Sequence, residues 1–197
     1  MKKRAIFLDR DGTLNEDVGY PSSFSLITIY PFSYEAVRKI NETGLLVVIV
    51  TNQSGIGRGL ITEASLQDLH SRMKASFAQK NASIDGIYYC PHYSFSTQSQ
   101  YRKKCACRKP FTEMARQAAL DMNIDLSESY MVGDKVEDIL FGKNIRARSV
   151  LVLTGFGKRS LPELTAQGIE PDYVAQNVLD AVNWILEEEG RRGTRQD

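Results

Sequence analysis

Asp9 and Asp11 stand two residues apart, directly after the apolar run Ala5-Ile6-Phe7-Leu8 and before Gly12-Thr13. In extended backbone, side chains at i and i+2 point the same way, so both carboxylates face one site. Two acids that close repel each other unless a cation or a shared proton relieves them. A third aspartate, Asp134, follows the apolar run Tyr130-Met131-Val132-Gly133, with Glu137 and Asp138 just behind it. Clustered carboxylate oxygens are the donor set of a hard cation such as Mg2+. Thr51 follows Leu45-Leu46-Val47-Val48-Ile49-Val50, and Lys109 lies between Arg108 and Pro110. A hydroxyl and an ammonium of this kind can hold an anion beside the cation. The combination suits phosphoryl transfer, where the demand is positioning and charge neutralisation.

A second constellation sits between these. Cys90-Pro91-His92, then twelve residues, then Cys105-Ala106-Cys107 holds all three cysteines and one of the two histidines. Three thiolates and an imidazole complete the tetrahedral shell of a closed, structural Zn2+ site, with no position left for an activated water. An odd number of cysteines makes no disulfide framework. The other histidine, His70, falls mid-helix in a polar stretch and is expected to be structural or exposed.

The elements that must position these groups alternate. The apolar runs at 5–8, 45–50, 84–90, 130–132 and 149–153 read as strands, the unbroken ones buried on both faces. Helical spacing predicts helices from an N-cap at Ser33 to Glu42, from Thr62 to Gln79, from Thr112 to Met122, from Glu137 to Asn144, and from Val178 to Glu188. Such alternation predicts a three-layer, Rossmann-like α/β fold: five or six parallel strands with helices on both faces. The strand ends carrying Asp9, Thr51, Cys90 and Asp134 then share one edge, where the sites of open α/β sheets lie. With 197 residues, 42% of them hydrophobic, one domain over 1–189 is expected, with 190–197 as a disordered tail. Twenty-five basic residues against 24 acidic argue against a nucleic-acid or membrane partner. The basic start Met1-Lys2-Lys3-Arg4 precedes an apolar run too short for a signal peptide. A cytoplasmic monomer is expected.

Taken in order, Asp9-x-Asp11-Gly12-Thr13, Thr51, Lys109 and Gly133-Asp134-x-x-x-Asp138 resemble the motifs of the haloacid dehalogenase-like phosphatases. With the cysteine loop, the resemblance is to their zinc-loop subgroup. It implies that Asp9 is the nucleophile and that an aspartyl-phosphate forms on it. Asp11 would be the general acid and then base, so that the two carboxyls need opposite protonation states. Mg2+ would be held by Asp9, the Asp11 backbone carbonyl and Asp134, with Thr51 and Lys109 stabilising the phosphoryl oxygens. Substrate would touch Asp17, Val18, Gly19, Tyr20, Asn52, Gln53, Ser54, Arg108 and Lys135. Arg108 suits the distal phosphate of a small phosphorylated sugar, since a guanidinium binds phosphate bidentately. Histidinol phosphate is the alternative substrate, and a zinc-loop binding module without catalysis the alternative of another class. No large cap domain is expected; the zinc loop and the segment 15–31 would screen the site.

Overall fold

The computed structural model describes residues 2–193. In β1 (Ala5–Leu8) side chains alternate between two apolar layers: Ile6 and Leu8 join one, Ala5 and Phe7 the other. β2 (Leu46–Asn52) does the same with Val47 and Ile49 against Val48 and Val50. β4 (Tyr130–Gly133) sends Tyr130 and Val132 one way and Met131 the other. Burial on both faces is why these strands read as unbroken apolar runs, without a polar alternate.

With β3 (Gly86–Cys90), β5 (Arg148–Val152) and β6 (Tyr173–Ala175), they form one parallel sheet in the order β3-β2-β1-β4-β5-β6. The chain runs outward from β1 to β3 and returns to the other side of β1 for β4. Beyond the carboxyl ends of β1 and β4 the crossovers diverge, and this opens a crevice. α1 (Pro31–Asn41), α2 (Glu63–Ala78) and α6 (Val178–Gly193) cover one face through Val37, Ile40, Met73, Phe77, Val182 and Ile185. α3 (Glu113–Met122) and α4 (Val136–Asn144) cover the other with Met114, Ala118 and Phe141, and α5 (Gly157–Ala166) packs beside α4. The expected three-layer fold is present, with six strands.

Several boundaries differ from expectation. α1 begins at Pro31 with Tyr30 as its N-cap, because proline's fixed φ and missing N–H suit the first helical position. Ser33 lies inside the first turn and donates its hydroxyl to the Leu14 carbonyl at 2.8 Å, tying the helix to the loop after β1. Thr62 caps α2 as expected, in a reciprocal box with Ser65. α5 and β6 have no counterpart in the sequence reading. α6 runs to Gly193, through half of the segment expected as a tail. Arg192 pairs with Glu128 at 2.9 Å and Arg191 with Glu188, and cations favour a helix's last turn. Residues 194–197 of that expected tail lie outside the described residues. Among the described residues, no helix is long and apolar enough to cross a membrane, and the segments after β1 and β3 carry no helical cap, only one short 3-10 turn at Phe24–Leu26.

Candidate active site

β1 delivers Asp9 to the carboxyl edge of the sheet, where it is almost fully buried. Lys109 meets it there. Its ammonium lies 2.7 Å from Asp9 Oδ1, 2.6 Å from Asp138 Oδ1 and 2.8 Å from the Val50 carbonyl, one acceptor for each of its three hydrogens. Burial alone would lower the lysine's pKa, but Asp138 and Asp9 outweigh it and raise it. The backbone of Lys109 is fixed from β2: Asn52 Oδ1 accepts its N–H at 3.0 Å while Asn52 Nδ2 donates to its carbonyl. A cis peptide joins Lys109 to Pro110.

Asp134, at the end of β4, sits in a cradle made by two glycines. Gly12 (φ +88°) and Gly155 (φ +53°) approach so closely that a Cβ on either would fall 2.1 or 2.2 Å from Asp134 Oδ2. Both adopt backbone conformations that disfavour side chains. The Phe156 N–H donates to Oδ2 at 2.7 Å, whereas Oδ1 is buried with no partner. An unpaired buried carboxylate oxygen is costly. Burial, and then the charges of Asp9 and Asp138, push this carboxyl up to about 8. Oxygens of Asp9, Asp134 and Asp138 all lie within 4.8 Å of one another. Asp138 is already engaged, its Oδ1 by Lys109 and its Oδ2 by the Lys135 N–H at 3.0 Å. Asp9 and Asp134 therefore offer the free oxygen donors, and their hard, anionic character fits Mg2+.

Asp11 is held differently. Arg10 Nε lies 3.1 Å from both of its oxygens and Nη2 2.8 Å from Oδ2, while Asn15 Nδ2 donates to Oδ1 and Gln53 Nε2 to Oδ2. Burial would raise its pKa, but the charge and hydrogen bonds of Arg10, with those of Asn15 and Gln53, lower it. Asp9 moves the other way: burial raises it, Lys109 opposes, and Asp138 and Asp11 add to the rise. The two environments do separate the pair, but in the opposite sense to that expected. The reason is Arg10, which follows Asp9 and folds back onto its other neighbour. Gln53 Nε2 also donates to Thr51 Oγ1 at 2.9 Å, and this leaves the Thr51 hydroxyl hydrogen to donate elsewhere.

These groups open on a cavity of about 280 Å³ lined by Asp9, Asp11, Thr51, Lys109 and Asp138, with Asp17, Gly19, Tyr20, Asn52, Ser54, Arg108, Lys135 and Glu137 around them. Most residues expected to touch substrate are thus on its wall. Val18 and Gln53 are not: Val18 is turned to solvent, and Gln53 lies behind the wall, bridging Asp11 and Thr51. Lys135 spans the mouth, 2.9 Å from Asp17 Oδ2.

The cysteine loop closes on itself beside β3. Cys90 Sγ is 3.5 Å from Cys105 Sγ and 3.6 Å from His92 Nδ1, which is 3.1 Å from Cys107 Sγ. A zinc tetrahedron with Zn–S near 2.3 Å has edges of about 3.8 Å, so the donor set and its spacing fit Zn2+. Two residues beyond Cys107 comes Lys109, so a metal held by this loop would also restrain the approach of that lysine.

Sequence reasoning missed Arg10, Asn15 and His70 as supports of Asp11, Asp138 as the anchor of Lys109, and Gly155-Phe156 as half of the Asp134 cradle. Asp138 had a signal, its spacing from Asp134. The cradle had none, since it joins loops after β1, β4 and β5.

Known proteins resemble this chain in sequence and in fold. The family described as HAD-hydrolase-like matches residues 106–181. The D-glycero-beta-D-manno-heptose-1,7-bisphosphate 7-phosphatase of Haemophilus ducreyi is 42% identical over 188 residues, covering 94% of this chain and 100% of the relative. The protein of the same name from Escherichia coli K12 is 43% identical over 92% of this chain and 87% of its own. Among solved structures, the D,D-heptose 1,7-bisphosphate phosphatase from B. bronchiseptica, complexed with magnesium and phosphate, superposes with a TM-score of 0.82 at 32% identity, covering 94% of this chain and 99% of that one. The chain belongs to the haloacid dehalogenase-like hydrolases, in the family of the heptose-1,7-bisphosphate 7-phosphatases.

Proposed function

We infer that the protein is a Mg2+-dependent phosphatase that removes the 7-phosphate of D-glycero-D-manno-heptose 1,7-bisphosphate and leaves heptose 1-phosphate. The observation that carries this reading is the buried Lys109 ammonium on Asp9, beside a carboxylate, Asp134, with an oxygen left unpaired. The relatives' names supply the sugar, and naming of the beta anomer in several makes it the first to test.

An Asp9 oxygen attacks phosphorus, the bond from phosphorus to the ester oxygen breaks, and the aspartyl-phosphate forms. Asp11 gives a proton to the departing alkoxide and later takes one from the attacking water. Its contact with Arg10 favours the ionised form, so the proton must reach it once substrate fills the cavity and changes its surroundings. Thr51 and Lys109 donate to the phosphoryl oxygens. Mg2+, held by Asp9, Asp134 and the Asp11 backbone carbonyl, supplies charge neutralisation at those oxygens. Arg108 and Lys135, on the cavity wall, hold the distal phosphate, with Asp17, Gly19, Tyr20, Asn52 and Ser54 around the sugar. Zn2+ on Cys90, His92, Cys105 and Cys107 shapes the loop. We read a single catalytic domain that runs on through α6 to Gly193 and works as a cytoplasmic monomer; the near-balanced charge accords with the absence of a nucleic-acid or membrane partner.

Side-by-side kcat/KM for heptose 1,7-bisphosphate, in both anomers, and for histidinol phosphate tests the substrate. Preference for a heptose anomer by at least about a hundredfold, well within what a hydrogen-bonding site can reach, bears the reading out. Equal or better turnover of histidinol phosphate overturns it.

A further inference from the structure

Arg10 is the largest side chain among the fully buried ones, and it reaches the cavity only through Asp11. One edge of its guanidinium, Nε and Nη2, is spent on the Asp11 carboxylate. The remaining nitrogen, Nη1, lies 3.1 Å from His70 Nε2. Arginine has only donors, so His70 Nε2 must accept, and the imidazole is neutral with its proton on Nδ1. Burial, reinforced by the Arg10 charge, holds the imidazole's pKa down to about 3, in keeping with that assignment. His70 is itself buried on α2, its ring 5.9 Å from that of Tyr89 on β3. Neither His70 nor Arg10 lines the cavity. A chain of contacts therefore runs from α2 through Arg10 to the back of Asp11, with Asn15 and Gln53 completing the carboxylate's supports.

We propose that His70 is a positioning residue for Asp11: by accepting the Arg10 Nη1–H it fixes the plane of the guanidinium, whose other edge sets where the Asp11 carboxyl stands. This deepens the reading of Asp11 as general acid and rests on it. In the step concerned, the Asp9 oxygen bonds to phosphorus and the ester oxygen leaves with the bonding electron pair. The Asp11 proton goes to that oxygen. A guanidinium with an unpaired buried N–H would turn to find a partner and carry the carboxyl off its line.

The choice of leaving group separates this role from a merely structural one. A sugar alkoxide needs a proton to depart, whereas p-nitrophenolate does not. kcat/KM reports the steps up to phosphoryl transfer to Asp9, so hydrolysis of the phosphoenzyme does not enter. Wild type, His70→Leu, His70→Gln and Asp11→Asn are compared on heptose 1,7-bisphosphate and on p-nitrophenyl phosphate, with circular dichroism as the check on folding. Should the leucine variant not fold, His70→Asn, whose amide is too short to reach Arg10, takes its place. His70→Leu is expected to lose about tenfold on the sugar phosphate and less than about twofold on the aryl phosphate, a fraction of the hundredfold or more that general acid catalysis supplies. His70→Gln, which keeps an acceptor, recovers most of the loss, and Asp11→Asn shows the same selectivity on a larger scale. If Asp11→Asn is selective but His70→Leu slows both substrates equally, or neither, the positioning role is wrong and the general-acid reading stands. If Asp11→Asn slows both equally, the general-acid reading itself falls.

Discussion

Lys109 Nζ lies 2.7 Å from Asp9 Oδ1 and 2.6 Å from Asp138 Oδ1, one ammonium between two buried carboxylates. This contact is structural as well as chemical, because the cation is the direct partner of both acids. Lys109→Met leaves Asp9, Asp138 and Asp134 buried without it. Breaking a buried pair by removing one partner costs about 3–5 kcal/mol. Urea unfolding should show a loss of that order, with kcat/KM down at least about a hundredfold, the scale of losing one charge-stabilising donor. A variant as stable as wild type would mean that the acids are neutral in the folded protein.

Gly12→Ala tests the Asp134 cradle. The new Cβ would fall 2.1 Å from Asp134 Oδ2 at a backbone φ of +88°. The carboxylate must move, and strain of about 1–3 kcal/mol is expected at such a position. If Asp134 is a Mg2+ ligand, the rise in Tm that wild type shows on adding Mg2+ should shrink or vanish in the variant, since ligand stabilisation follows affinity. An unchanged Mg2+ response would remove Asp134 from the metal site.

The fold and the chemistry were legible in the sequence to different depths. Strands β1, β2 and β4 were readable because burial on both faces writes an unbroken apolar run. β6 has only three residues, and α5 carries an internal Pro162, so neither has a periodic signal long enough to see. Asp9, Thr51, Lys109 and Asp134 were visible because each ends a strand or sits in a short motif. Their supports were not, since Arg10–His70 and Gly12–Gly155 are contacts between residues far apart in sequence. The order of the Asp9 and Asp11 pKa values was not readable for another reason: Arg10 is next to both in sequence, and only the folded loop shows that it turns onto Asp11.

His70 makes stability depend on pH in a stated direction. Burial, with the Arg10 charge, lowers its pKa from 6.5 to about 3 in the folded protein. Between those values the unfolded chain binds the proton more readily, so stability falls as pH drops below about 6.5, by up to about 1.4 kcal/mol per pH unit from this group. Above that pH the contribution is constant. Denaturant melts of wild type and His70→Gln from pH 7 to pH 5 should diverge, the variant having the flatter profile. Parallel profiles would place a charged imidazole in the fold.

Metal analysis reads the cysteine loop. The four donors of a closed site predict about one zinc per chain, lost in Cys105→Ser. Because Cys107 stands two residues before Lys109, loss of the metal should also raise KM and lower kcat, and not only reduce Tm. Protein purified with its activity intact and no zinc, or with iron instead, would contradict the assignment.

The central claim is that Asp9 takes the phosphoryl group from carbon 7 and leaves carbon 1 untouched. Phosphorus NMR of heptose 1,7-bisphosphate, incubated with the protein and Mg2+, follows both phosphates at once. The resonance of the 7-phosphate should give way to inorganic phosphate while that of the 1-phosphate persists, and Asp9→Asn should leave the spectrum unchanged. Release of the 1-phosphate, or turnover by Asp9→Asn at the wild-type rate, would contradict the account.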